Sequence, residues 1–396
     1  MSDLYKEYMK GVFVPPVEAT DDISGLSIEE LFLRKQERVG LSKTKIAKML
    51  DMDVATLDKI IKGNYTGASV LNTLKVAIFI GVSMNDFLNA NADTLQSKDV
   101  GEICHVRDTA VLCEYFSIDT LNKIGFFTDN NYVQRINDFF GFKQIKEYAD
   151  IVSALTKAYS MTRRSYDQKM RDFWTISAYA QFKNIDNPNM YDRDRLMDIM
   201  PKIRPCSQDV ETGLYHVARA LYSVGVTMIY QPSLPKMQVR GATMEYNGKP
   251  CIVISDLNKR YPTLWFSLFH ELYHVLFDFD DIVLNKVHLS SDEGDLFLTD
   301  ENAADKFARD FILSPTKLQF IKPYVHAPLM IKKYAQKWGV HSSLIYALIA
   351  YDTNNWAEYS ALIPRSEKAT ERVNTNPFEV ETIREVAETY KQKLNI

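Results

Sequence analysis

The sequence predicts a mainly α-helical, multidomain protein with one small antiparallel sheet, and three observations carry that prediction. Apolar residues recur at helical spacing over residues 27–88, 101–206 and 300–349. Short β-branched runs at residues 224–230 and 251–254 are separated by Gly241 and the pair Asn247-Gly248, which are turn signals. The third observation is size: 396 residues exceed one ordinary core, while 46% hydrophobic and 25% charged residues supply apolar surface for several.

Residues 1–25 carry Pro15 and Pro16 and no clear period, so they read as a tail. Residues 26–95 read as a five-helix unit. Ile28, Leu31, Phe32 and Val39 repeat along the first helix, and Gly40 stops it. Ser42 caps the second helix, whose inner face is Ile46, Ala47, Met49 and Leu50. A third runs over residues 54–62 to Gly63, and residues 69–80 and 83–88 supply two more. Residues 96–206 form an aromatic helical connector with a loop at 128–131 and no assigned chemistry. The sheet falls within residues 207–325, followed by a strongly apolar helix at 264–277. Residues 326–396 hold two helices about a turn at Gly339 and end in a charged, solvated helix.

Charge and composition exclude several classes. The 47 basic and 51 acidic residues give a formal charge of −4, so the chain is no polycation coating nucleic acid unselectively, and any nucleic-acid site is local. Apolar runs such as 76–80 and 344–351 are far too short to span a membrane. Cys104, Cys113, Cys206 and Cys251 have neither zinc-knuckle nor redox spacing, so four reduced thiols and a cytoplasmic location are expected.

The sharpest signal is His270-Glu271-Leu272-Tyr273-His274. On a helix, positions i and i+4 lie one above the other, so both imidazoles can reach one zinc ion while Glu271 serves as general base in metal-assisted peptide hydrolysis. A catalytic zinc needs a third protein ligand, and Glu301 is the candidate. Asp305, one helical turn further on, can hold the outer nitrogen of a ligand histidine, and the small pair Ala303-Ala304 would let the two helices approach closely. Tyr273, His288 and Arg240 are all open as oxyanion stabilisers. His288, His326 and His341 have no partner spacing. Between the motifs, Asp278, Asp280, Asp281, Asp292, Glu293, Asp295 and Asp300 face only Lys286, which reads as a solvated acidic loop or as a preference for a basic substrate.

His270 to His274, Glu301 with Asp305, Phe307-Ala308 and Leu313-Ser314-Pro315 together resemble the ImmA/IrrE metallopeptidases over roughly residues 217–349. Asp305 stands where that family usually has Asn. The resemblance implies a zincin-like α+β domain, zinc held by His270, His274 and Glu301, catalysis by Glu271, and a substrate that is itself a transcription repressor.

The front unit resembles the Xre, or lambda-repressor-like, helix-turn-helix family through Gly40-Leu41-Ser42, Ile46-Ala47, Leu50-Asp51-Met52, Thr56, Ile60 and Lys62-Gly63-Asn64. In that fold the second helix of the pair enters the major groove. By position this makes Val54, Ala55, Thr56, Asp58 and Lys59 base readers, and Lys43, Lys45, Lys62 and Asn64 phosphate contacts, on double-stranded DNA. Val54 and Ala55 lack hydrogen-bonding groups, so direct base recognition would be sparse. Residues 26–91 hold nine basic against seven acidic residues, a net of +2, so a homodimer would double a weak footprint. The combined expectation is a DNA-binding regulator with a zinc endopeptidase that cleaves a repressor. The alternative is a non-enzymatic DNA-binding antitoxin or autorepressor whose peptidase-like half is a sensor.

Overall fold

A computed structural model describes residues 26–64, 69–90, 97–155, 166–291 and 299–396. The predicted tail at 1–25 lies outside these residues, as do Asp292, Glu293 and Asp295 of the acidic loop. The chain divides into two compact units, residues 1–107 and 108–396.

The first unit holds α1 (Ile28–Val39), α2 (Lys43–Met49), α3 (Val54–Ile61), α4 (Val70–Ile80) and α5 (Met84–Ala90). Their starts are written in the sequence. Ser27 and Glu30 form a capping box on α1, while Ser42, Asp53 and Ser69 each accept a backbone N–H at the start of the following helix. Gly40 ends α1 in the left-handed region, at φ 61°. One apolar cluster closes the unit, with Phe32, Ile46, Leu57, Ile60, Val76 and Phe87 at its centre.

The helix α6 (Ser97–Tyr115) contains the boundary between the units. The larger unit continues with α7 (Ile118–Lys123), α8 (Tyr132–Phe140), α9 (Lys146–Leu155), α10 (Gln168–Ile185), α11 (Arg193–Ile203) and α12 (Gly213–Tyr222). Then come β1 (Thr227–Tyr230), β2 (Val239–Tyr246), β3 (Lys249–Ile254), α13 (Tyr261–Phe277), α14 (Phe279–Asn285) and β4 (Val287–Ser291). The unit ends with α15 (Thr299–Ile312), α16 (Pro315–Ile321), α17 (Pro328–Trp338), α18 (Ser342–Thr353) and α19 (Ile383–Leu394), besides single helical turns. A single buried cluster runs from Leu112 to Leu394 through all these elements but α14, across residues that the sequence divides into connector, peptidase and C-terminal regions. Phe126, Phe139, Phe140 and Phe173 pack edge to face at its connector end.

The sheet is mixed, not antiparallel. Its order is β1-β3-β2-β4; β1 runs parallel to β3, while β2 pairs antiparallel with both β3 and β4. Branched residues signal a strand but not its direction, which is why the parallel pair escaped the sequence. The hairpin between β2 and β3 turns at Asn247 and Gly248, both at positive φ of 54° and 72°, as their pairing predicts. Gly241, expected as a turn, instead lies inside β2 beside a register irregularity. β4 occupies part of the stretch expected as an acidic loop.

The last helix departs from expectation too. Ile383, Val386, Ala387, Tyr390 and Leu394 of α19 are buried, and the helix packs on α10, so it is half core and not solvated. The Arg135 guanidinium donates to the carbonyls of Val380 and Glu381 at 2.8 and 2.6 Å, fastening the approach to α19.

Candidate metal centre

Helix α13 is apolar nearly all round, and Leu264, Trp265, Leu268, Phe269, Leu272 and Val275 are fully buried, so it is a core helix held between sheet and α15. His270, Glu271 and His274 are buried within it, at 1%, 0% and 1% exposure. Imidazoles and a carboxylate at such depth require partners. His270 Nδ1 lies 2.8 Å from Asp305 Oδ1, the partner that helical spacing predicts. His274 Nδ1 lies 2.7 Å from Asp278 Oδ2. Sequence reasoning placed Asp278 in the acidic loop, although it stands four residues after His274, the same i, i+4 spacing that drew the histidines together.

With each Nδ1 given to a carboxylate, the two Nε2 atoms turn toward each other at 3.3 Å. Two nitrogen ligands at about 2.05 Å from a tetrahedral zinc subtend a chord of about 3.3 Å, so the pair fits that ion. A carboxylate behind each imidazole fixes the tautomer with Nε2 unprotonated, which is the ligating form.

Glu301 and Asp305 both lie on α15, one turn apart on one face. Asp305 reaches His270, which brings this helix to α13; the side chain of Glu301 lies outside the described residues. Among the described residues no group of three His, Cys, Asp or Glu side chains is drawn together for a metal. The close approach of the helices uses Ala304 with Ala308, both at 0% exposure, more than the predicted Ala303.

The Glu271 carboxylate is anchored from the sheet. Thr243 Oγ1 donates to Glu271 Oε2 at 2.7 Å, while Glu271 Oε1 is buried with no hydrogen-bond partner among the described residues. A Cβ at Gly241 would come within 2.4 Å of that oxygen, so β2 presents glycine where the carboxylate rests. Thr243 pairs with His288 across β2 and β4, and the His288 ring lies 4.2 Å from that of His274. Neither Thr243, Gly241 nor His288 carries a spacing signal toward the motif, because strand register alone brings them to it. Of the other oxyanion candidates, Arg240 Nη2 lies 3.6 Å from Asp305 Oδ1, and the Tyr273 ring packs on Phe277 and Phe307. His326 lies near Glu358, and His341 caps α18, where burial holds its pKa below the usual histidine value.

In the first unit, Ala55, Lys59 and Lys62 share the exposed side of α3 and its end, with Lys45 and Asn64 also exposed. Val54 and Thr56 are half-buried, and Thr56 Oγ1 is spent on Asp53 at 2.7 Å. Lys43 Nζ pairs with Asp58 at 2.7 Å, which ties α2 to α3 and neutralises the carboxylate among the expected DNA contacts.

Comparisons with protein families, curated proteins and solved structures find no match for this chain.

Proposed function

We propose that this chain is a DNA-binding regulator with zinc-dependent endopeptidase activity, and that its substrate is a transcription repressor. One observation carries the enzymatic part: two buried imidazoles present Nε2 atoms 3.3 Å apart, each with its outer nitrogen on a carboxylate. Burying this many polar groups costs stability, and a metal offsets that cost.

His270 and His274 would hold the metal, with Glu301 as the third ligand. Zinc, when bound, supplies Lewis acidity, drawing the pKa of water toward about 7 and polarising a carbonyl. Thr243 holds one oxygen of Glu271, which leaves Oε1 to accept a proton and deliver it to the departing amine. Asp305 and Asp278 keep the imidazoles in register.

The DNA-binding part rests on α2 and α3, whose caps and spacing fit a helix-turn-helix and whose outer face offers Lys45, Lys59 and Lys62 to phosphates. Two copies would double these contacts.

Glu271→Gln tests the mechanism. It keeps the shape of the side chain and removes its basicity, so zinc content stays at one per chain while cleavage of a repressor falls by about 10²–10⁴-fold. Undiminished cleavage by this variant would refute the assignment. Absence of cleavage by the unaltered zinc-loaded chain, with operator binding intact, would favour the autorepressor.

A further inference from the structure

One helical turn before His270 lies a cavity of about 380 Å³ between the start of α13, the end of α15 and α18. Phe266, Ile312, Leu344 and Leu348 give it an apolar wall, while Arg240 and Arg260 supply two guanidinium groups, and no carboxylate lines it among the described residues. The Arg260 guanidinium is stacked on Trp356 at 4.6 Å, and no carboxylate among the described residues stands within ion-pair distance of it. A guanidinium half-withdrawn from water and facing an apolar chamber matches a carboxylate bidentately. Arg240 connects this cavity to the metal pair, since its Nη2 lies 3.6 Å from the Asp305 oxygen that holds His270.

We propose that this cavity binds the last residue of a peptide chain, with an apolar or aromatic side chain on the wall and the terminal carboxylate on Arg260. A residue inside a chain offers either a carboxylate or an apolar group. A chain-terminal residue carries both on one α-carbon, which suits a single compact chamber having both features. Its use as a product site, for the new carboxyl terminus that endoproteolysis creates, rests on the metallopeptidase reading; the binding itself does not.

The test therefore reads binding, not turnover. N-acetyl-L-phenylalanine and N-acetyl-L-phenylalaninamide are titrated into the full chain by calorimetry, with zinc and again with chelator. Quenching of tryptophan emission is followed alongside and compared with the Trp356→Phe variant. The acid is expected to bind at least tenfold more tightly than the amide in both conditions, with quenching that Trp356→Phe abolishes. Arg260→Gln removes the preference for the acid, and Arg260→Lys, a second variant that retains the charge, keeps part of it. Equal affinity for acid and amide, a preference that survives Arg260→Gln, or one that vanishes with chelator would overturn the proposal. So would equally tight binding of N-acetyl-glutamyl-phenylalaninamide, whose carboxylate is on a side chain. Zinc content, measured on the same samples, reports separately on the metallopeptidase reading.

Discussion

A Cβ at position 241 would stand 2.4 Å from Glu271 Oε1 and 3.0 Å from its Cγ, closer than real contacts allow, and the side chain it displaces is buried and held by Thr243. Gly241→Ala is therefore expected to lower the unfolding midpoint while leaving the chain folded and zinc bound, and cleavage falls at least tenfold. Retained cleavage would show that the carboxylate does not work from this position. The carboxylates behind the imidazoles make a second prediction. Asp278→Asn or Asp305→Asn loses the charge that holds each ring, so zinc affinity measured by competition with a chromophoric chelator is expected to drop about 10–100-fold. Residues related by i, i+4 spacing within one helix were legible: His270, His274 and Asp305 declare themselves, and Asp278 shows the same spacing to His274. Gly241, Thr243 and His288 were not, because their nearness to the motif depends on which strands pair and in what register, and a single sequence does not encode that locally.

Among the elements, the five front helices were readable from their caps and apolar stripes, although Met49, expected on the inner face of α2, is exposed and only Ile46 and Ala47 of that helix are buried. β4 was hidden by the acidic residues around it, and its pairing with β2 is set at a distance. The signal for α19 was present, since Ile383, Val386, Ala387, Tyr390 and Leu394 follow a helical period, but its many charges drew attention to the other face. Its burial makes Leu394→Ala costly, by about 2–5 kcal/mol in a denaturant titration. A loss near zero would place this helix in solvent after all. The cap of α18 adds a pH dependence. His341 Nδ1 accepts the Ser343 backbone N–H at 3.2 Å, and burial lowers its pKa, so the folded chain binds this proton less readily than the unfolded one. Stability from this group is complete above the ordinary histidine pKa and is lost as pH falls below it. His341→Asn, which can still cap, is expected to flatten the decline in unfolding midpoint between pH 7 and 5.5; an unchanged slope would rule this cause out.

For the molecule as a whole, each of the two units has its own buried cluster, and all four tryptophans, Trp174, Trp265, Trp338 and Trp356, belong to the larger. Tryptophan emission thus follows the unfolding of the unit that holds the histidines. Zinc at a hundredfold excess over its dissociation constant is expected to stabilise that transition by about 2.7 kcal/mol. No shift would mean that the folded unit gains nothing from the ion. The most direct test of the central claim is X-ray absorption at the zinc edge together with metal content, on the purified chain and on His270→Ala. One zinc per chain, with two imidazoles in a nitrogen and oxygen shell at about 2.0–2.1 Å, is expected, and that zinc is lost in the variant. Equal zinc content in both proteins, or a shell without imidazole, would contradict it.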